Sequence, residues 1–440
     1  ISQQLVDEGV NILGTPVKSI TRAEDREQFA QMLDKLNLRQ TQNEITINLT
    51  DAKIKAGIIG YPVLMRPSFV LGGAKMEVIY DEPMLIRYWK ELLQYCATAD
   101  VLINKERPIL IDKFLKDAIE IDVDAICDGK AVYVAGIMEH IEEAGVHSGD
   151  SSCALPPFSL PEELIEELIE STEKLALELG VIGLMNIQYA VKDSEIYVLE
   201  VNPRASRTVP FVSKVTSVPV AKMATMVILG KTLKELGLGR QPKLDHFAVK
   251  ASVFPWTRFP GTDTVLGPEM KSTGEVMGIG SSFEMAFAKS QLGAGIILPL
   301  SGSVFISVKP DDQRYVVEIA KELYEMGFHI IGTDGTARVL LESKIPVQIV
   351  KKIYENEPPN IIDFMNDGKV QLLINSKGEQ TPKADEISIR RNAVLRNIPL
   401  ITTMAGAKAT IKAIREMKST DEISVTALQD FHKAIKLFGV

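Results

Sequence analysis

The segment from Gly183 to Arg204 (GLMNIQYAVKDSEIYVLEVNPR) constrains this chain most, because it alternates apolar and polar residues on both sides of a short polar turn. Such alternation predicts two antiparallel strands. A three-residue loop, Asp193–Glu195, would set Lys192 opposite Ile196 and Gln188 opposite Glu200. One face then carries Ile187, Tyr189, Val191, Tyr197, Leu199 and Val201, and the other gathers Asn186, Gln188, Glu200 and Asn202 at the open end. A slip of one residue would split that polar cluster. Oxygen donors from Gln, Glu and Asn, with one carboxylate and no His or Cys, suit a hard cation such as Mg²⁺ that keeps phosphate oxygens in its shell. The competing reading is a solvated polar face on an ordinary hairpin.

At about 150 residues per domain, 440 residues predict roughly three compact units. Hydrophobic residues at 45% supply several cores. The balance of 49 basic against 58 acidic residues, without a long Lys/Arg run, argues against nucleic acid as a partner. Cys96, Cys127 and Cys153 are scattered and form no CxxC pair, which argues against a disulfide framework or a structural zinc site and fits a reducing compartment. Charges interrupt every apolar run before membrane-spanning length, so a soluble, cytoplasmic protein with no membrane partner is expected. The chain opens at Ile1 without an initiator Met or signal peptide and is expected to be a fragment.

Along the chain, a helix end at Leu5–Asp7, a Gly9 stop and a buried strand over Val10–Leu13 predict a βα unit entered halfway. A helix follows over 22–37, opened by Thr21 as N-cap. From Tyr61 to Thr216 short strands (Pro62–Met65, Glu77–Tyr80, Ile119–Cys127, Val132–Ile137, Met185–Val191, Ile196–Val201) dominate, with helices at 83–96 and 161–179. A helix is expected at 219–236. After a boundary at about 290–296, strands Val304–Val308, Phe328–Ile331, Val347–Val350, Gln371–Ile374 and Leu400–Thr402 alternate with helices, the last near 405–417, as in an open parallel sheet.

Other segments carry weaker signals. Arg66-Pro67-Ser68 and the glycine loop Val70–Lys75 could bring backbone amides and cations to phosphates, although Gly-Gly turns are common. Glu120, Asp122 and Asp124 share one face of a strand, a pattern that normally marks a wet face. His147 sits in the small-residue loop Gly145–Ser152. No GxxxxGK[ST] loop occurs, which argues against a P-loop NTPase, and there is no GxSxG elbow for a serine hydrolase.

Taken in order, Arg66-Pro67-Ser68 with Gly72-Gly73, Asp112–Leu115, Glu120–Asp124, Gly136–Glu142, Gly145–Asp150 and Glu200–Arg204 closely resemble carbamoyl phosphate synthetase. The resemblance is to the second half of the large subunit. It continues through Pro210–Lys214, Gly267–Met270 and Ser272–Gly278 and covers nearly the whole chain.

That resemblance implies an α/β and α+β multidomain protein: an ATP-grasp fold preceded by a partial Rossmann-like unit and followed by an open parallel-sheet regulatory domain similar to methylglyoxal synthase. It divides the chain into 1–20, 21–225, 226–292 and 293–440. The implied reaction is attack of carbamate on the γ-phosphate of ATP, giving carbamoyl phosphate and ADP for the pyrimidine and arginine pathways. Implied ions are Mg²⁺ or Mn²⁺, two of them, and K⁺. By position, Gln188, Glu200 and Asn202 are similar to the metal ligands; Arg66 would contact phosphates, Lys113 and Leu115 border adenine, and Glu120 hold ribose. Gly145, Val146, His147 and Ser148 would line the nucleotide or product side, and Arg204 and Arg207 steady the transferred group. Thr333, Thr336, Lys352, Asn375, Asp385, Thr402 and Thr403 would form the allosteric pocket for a nucleotide effector.

Departures accompany the likeness. Ala74 and Lys75 replace the flap's usual arginine, and Gln313 a lysine that contacts effector phosphate in some relatives. Ala251 takes the place of an acidic residue of ornithine-responsive relatives, so ornithine activation is not expected, nor lyase activity at Asn375–Gly378. The implied partners are a glutaminase small subunit and the N-terminal half of the large subunit, in an oligomer. Another ATP-grasp ligase and a non-catalytic nucleotide sensor are the alternatives.

Overall fold

The computed structural model describes residues 2–70, 73–241, 243–259, 262–351, 353, 358–376, 384–420 and 422–434. Two compact units emerge. Among described residues the first holds 2–145, 153–247 and 425–434, and the second 146–152 and 248–424.

In the first unit, strands Arg39–Gln40, Glu195–Asn202, Ile182–Lys192, Ile119–Asp128, Val132–His140 and Cys153–Leu155 lie side by side in that order. One face carries Ile121, Val123, Ile137, Met185, Ile187 and Tyr189, packed on Leu168, Leu175 and Leu179 of helix Glu162–Leu179. Each of these strand side chains is buried, and burial at about 25 cal/mol per Å² of apolar surface holds the layer together. Helices Val209–Thr216 and Val220–Ile228 return over the opposite face. There the Val212 methyls lie 3.0 Å from where a Cβ on Gly136 would sit, a tight fit that a side chain at 136 could enter only if Val212 gave way. A second sheet, ordered Asn43–Thr46, Ile109–Lys113, Val63–Pro67, Glu77–Ile79, packs on helices Leu49–Ile59 and Glu82–Ala99.

The hairpin differs from its expected geometry in an instructive way. Its turn has two residues, Asp193 and Ser194, with φ of 51° and 64°, as a type I′ turn requires. Glu195 therefore pairs with Lys192, and Ile196, expected opposite Lys192, faces Val191 instead. A bulge between Val198 and Glu200 then takes up the one-residue difference, so Glu200 still stands opposite Gln188 and Asn202 opposite Asn186. Before the bulge Ile196 and Val198 join the core, not Tyr197 and Leu199.

Elsewhere, no strand forms over Val10–Leu13. The helix expected from Thr21 is two helices, Val17–Glu24 and Arg26–Lys35; Asp25 caps the second by accepting from the Gln28 amide, and Thr21 Oγ1 donates to Val17 within the first. Helix Val220–Ile228 stops well before residue 236. Among the described residues no single helix is long and apolar enough to cross a membrane.

The second unit contains a parallel sheet ordered Gln348–Val350, His329–Thr333, Ser303–Ser307, Leu372–Asn375, Leu400–Ile401. Helix Phe283–Gly293 packs against helix Met404–Ser419 inside this unit. The chain runs on past the expected last helix to helix Leu428–Ala434, which belongs to the first unit, with His432 Nε2 at 2.6 Å from the Lys214 carbonyl.

Candidate functional site

Strand pairing assembles the polar face of the hairpin. Gln188 lies opposite Glu200 on one side and opposite Asp122 on the other; Asn186 lies between Asn202 and Asp124 in the same way. Opposite residues in an antiparallel pair share a face, so six polar side chains occupy one surface of three strands. At its outer edge Asn202 Nδ2 donates to Glu200 Oε1 at 2.6 Å, and Arg204 Nη2 donates to Asn202 Oδ1 at 2.9 Å. Among the described residues no three His, Cys, Asp or Glu side chains are grouped to hold a metal unaided. One carboxylate and two amides fit a hard cation that receives its remaining oxygens from phosphate.

The inner part of this face corrects the expectation of a wet strand. Asp122 and Asp124 are 2% and 0% exposed. His140 Nε2 is 2.8 Å from Asp122 Oδ2, and its Nδ1 is 3.5 Å from Glu120 Oε2. Burial alone would lower the pKa of this imidazole, but Cys153, Asp122 and Glu120 together raise it well above the ordinary histidine value. Asn186 Nδ2 donates to Asp124 Oδ1 at 3.0 Å. Glu120 Oε1 accepts from the Gly145 amide at 3.0 Å, so two residues expected at the nucleotide are brought together. Asp122, Asp124, His140 and Asn186 as a buried network were missed, although the alternation over Glu120–Asp124 was visible.

The basic residues are already engaged. Arg66 Nε and Arg26 Nη2 share the Asp112 carboxylate at 3.1 and 2.6 Å, and Lys113 Nζ donates to the carbonyls of Gly60 and Tyr61 at 2.7 and 3.3 Å. Leu115 follows strand Ile109–Lys113 and is half-buried. Arg207 lies in the same 203–208 loop as Arg204. Gly72 of the glycine loop lies outside the described residues.

Val146, His147 and Ser148 fold with the second unit. The His147 amide donates to the Gly267 carbonyl at 2.8 Å, and His147 Nδ1 accepts from the Gly149 amide at 3.0 Å, which leaves Nε2 as the protonated nitrogen of a neutral ring. Lys250, 1% exposed, donates to the Ser148 carbonyl at 3.2 Å. Asp150 accepts from the amides of Lys271 and Ser272, both at 2.8 Å.

In the same unit, residues expected to form the effector pocket gather at the C-terminal ends of the parallel strands, where open α/β sheets bind ligands. Thr333 precedes helix Asp334–Glu342 without capping it; its hydroxyl lies 3.1 Å from that of Ser307, which leaves the helix amides to another acceptor. Thr336 Oγ1 accepts from the Val308 amide at 3.2 Å. Asn375, 1% exposed, donates to the Ser307 carbonyl and accepts from Arg390, a residue that sequence reasoning missed. Asp385 lies in the first turn of helix Ala384–Leu395. Thr402 follows the last parallel strand, and Thr403 caps helix Met404–Ser419 by accepting from the Gly406 amide at 3.1 Å. Lys352 lies outside the described residues.

A family model described as carbamoyl-phosphate synthase L chain, ATP binding domain, matches residues 25–236, and one described as MGS-like domain matches 315–402. The chain is 49% identical to the carbamoyl phosphate synthase large chain, C-terminal section, of Methanocaldococcus jannaschii, over 99% of this chain and 71% of that one. It is 52% identical to the carbamoyl phosphate synthase large chain of Archaeoglobus fulgidus, over 98% of this chain but only 39% of that one. Thus the chain spans about two fifths of the length of the large chains it matches. Among solved structures, the biotin carboxylase domain of Hydrogenobacter thermophilus 2-oxoglutarate carboxylase aligns at a TM-score of 0.52 and 17% identity, covering 65% of this chain and 68% of that one. N5-carboxyaminoimidazole synthase from Aspergillus clavatus aligns at 0.51 and 11%, covering 66% and 77%. These two likenesses establish the ATP-grasp fold. With half of its residues identical to a relative that it covers over most of its length, the chain belongs to the carbamoyl phosphate synthase large chain family.

Proposed function

We propose that this chain transfers the γ-phosphoryl group of ATP to carbamate. A carbamate oxygen forms the new bond to phosphorus, the bond to the bridging oxygen of ADP breaks, and carbamoyl phosphate and ADP leave. The observation that carries this reading is the juxtaposition of Gln188, Glu200 and Asn202 at the open end of one hairpin, with Arg204 bonded to Asn202. Phosphoryl transfer asks little covalent chemistry of a protein and much positioning of charge. Mg²⁺, when bound, would neutralise charge on the phosphates; Mn²⁺ in its place and K⁺ as a further ion belong to the same reading. Glu200 supplies the site's negative charge, Gln188 and Asn202 its neutral oxygens, and Arg204 with Arg207 draw charge from the migrating phosphoryl group. Arg66, Lys113, Leu115, Glu120, Gly145, Val146, His147 and Ser148 hold the nucleotide.

The segments read as an N-terminal part at 1–20, a catalytic part at 21–225, an extension at 226–292 and an effector domain at 293–440. Thr333, Thr336, Lys352, Asn375, Asp385, Thr402 and Thr403 take a nucleotide effector there. Overall synthesis from glutamine and bicarbonate, in the cytoplasm, draws ammonia from a glutaminase subunit and activated bicarbonate from the N-terminal half of the large chain, because Gln188–Arg204 occurs here once.

The test is ATP formation from carbamoyl phosphate and ADP with Mg²⁺. Metal-dependent ATP formation supports the reading. Nucleotide binding without turnover, also after the N-terminal half is supplied, overturns it and favours a sensing role.

A further inference from the structure

Between the hairpin and helix Val209–Thr216 the chain runs through Pro203-Arg204-Ala205-Ser206-Arg207-Thr208. Two of these six side chains reach one buried carboxylate. Asp124, 0% exposed, accepts from Ser206 Oγ at 2.7 Å and from Asn186 Nδ2 at 3.0 Å on Oδ1, and from Thr208 Oγ1 at 2.5 Å on Oδ2. The two hydroxyls stand 2.8 Å apart. Ser206 sits between Arg204 and Arg207, and Thr208 immediately precedes the helix. Asn186, the third donor, is opposite Asn202 on the neighbouring strand.

We propose that Asp124 is a positioning residue for the arginine loop: through Ser206 and Thr208 it sets the course of residues 203–208 and thereby where Arg204 and Arg207 stand relative to Glu200 and Asn202. It touches no reacting atom. The inference rests on the proposed role of the two arginines. A carboxylate is required because three donors converge on it, and a carboxylate has about four acceptor sites whereas an amide presents one oxygen and two N–H groups. In Asp124→Asn the new N–H groups face hydroxyl or amide donors, and Thr208 answers only by giving up its own donation. The volume of the side chain is unchanged, so the core around it stays filled.

Two readouts on the full chain separate this from a merely structural role. Trypsin cuts after arginine; in Asp124→Asn, native-state cleavage after Arg204 and Arg207, followed by mass spectrometry, should quicken about tenfold while circular dichroism is unchanged. ATP formation from carbamoyl phosphate and ADP should lose about 10- to 100-fold in kcat, as expected for displaced positioning groups, with KM for ADP within about twofold. Ser206→Ala should move both readouts in the same direction, and Asp124→Asn with Ser206→Ala should be no worse than Asp124→Asn alone, because the two share one contact. Unchanged cleavage and kcat in a folded Asp124→Asn chain would overturn the proposal, as would losses that multiply in the double variant. If the unaltered chain forms no ATP yet the cleavage response is seen, the proposed reaction falls while the anchoring of the loop stands.

Discussion

Arg390 grips Asp263 with two parallel hydrogen bonds, Nε to Oδ1 at 2.7 Å and Nη2 to Oδ2 at 2.8 Å, and gives its remaining nitrogen Nη1 to Asn375 Oδ1 at 2.9 Å. The guanidinium side chain has no exposed surface. One cation thus joins the segment before Leu266 to the parallel strand that ends at Asn375.

Removing its partner should be costly. Asp263→Ala strips two charge-assisted hydrogen bonds from a buried guanidinium and leaves it Asn375 and the Glu386 carboxylate, 3.8 Å from Nη1, and a loss of about 2 to 3 kcal/mol is expected; Asp263→Asn, which keeps one acceptor, should lose less. Burial alone would raise the Asp263 carboxyl, but the hydrogen bonds and charge of Arg390 pull it below the ordinary value. A depressed carboxyl contributes stability above its unfolded pKa, near 4, and loses it as pH falls through the folded value. Thermal unfolding between pH 3 and 7 should therefore show a smaller acid-induced decline in Asp263→Ala than in the unaltered chain.

Glu200→Ala should abolish metal-dependent ATP formation while the fold remains, because it deletes the formal charge of the outer set. Gln188→Ala, which deletes a neutral oxygen, should do less harm. Near-normal turnover of Glu200→Ala at ordinary Mg²⁺ would remove the hairpin from the metal site.

Burial raises the Asp124 carboxyl to about 6 despite hydrogen bonds from Thr208, Ser206 and Asn186, with the Asp122 charge on the same strand adding to the rise. His140 on the adjacent strand, bonded to Asp122, Glu120 beside it, and Glu200 across Gln188 are further titratable groups on this face. For a raised carboxyl, stability is full below the unfolded pKa, near 4, and declines as pH rises through about 6. Relative to the unaltered chain, Asp124→Asn should thus gain stability between pH 4.5 and 8, by about 1 to 3 kcal/mol. Denaturant unfolding at the two pH values checks it; a constant difference would mean that the carboxyl titrates normally.

A nucleoside monophosphate should bind the full chain with its phosphate at the start of helix Asp334–Glu342, where Thr333 leaves the amides uncapped. A charge-assisted phosphate contact is worth about 1.5 to 3 kcal/mol, so Lys352→Ala should weaken binding in calorimetry by about one to two orders of magnitude. Unchanged affinity would move the site away from Lys352, and clear activation by ornithine would show that Ala251 does not disable that response.

Within each regular stretch of strand, the sequence by itself determined which residues share a face. Alternation placed Gln188 with Glu200 and Asn202, and Glu120 with Asp122 and Asp124, because side chains of a strand point to opposite sides with a period of two whatever lies around it. The alternation of short strands with helices after Leu300 announced a parallel sheet, because parallel neighbours need a crossover, usually a helix, between them. Tertiary structure decided what covers each face. Asp124 is buried because helices Val209–Thr216 and Val220–Ile228 return over its strands and the 203–208 loop brings two hydroxyls to it, and no local pattern encodes that return. The two-residue turn was hidden because Asp193 and Ser194 adopt positive φ without the glycine that usually signals it. The bulge that restores the Gln188–Glu200 pair follows from burial: Ile196 and Val198 on one side of it and Val201 on the other all reach the same core, which a regular strand could not achieve. Periodicity is a property of the backbone and can be read locally, whereas burial is a property of whatever segment comes back to cover it, and that is settled only when the chain has folded.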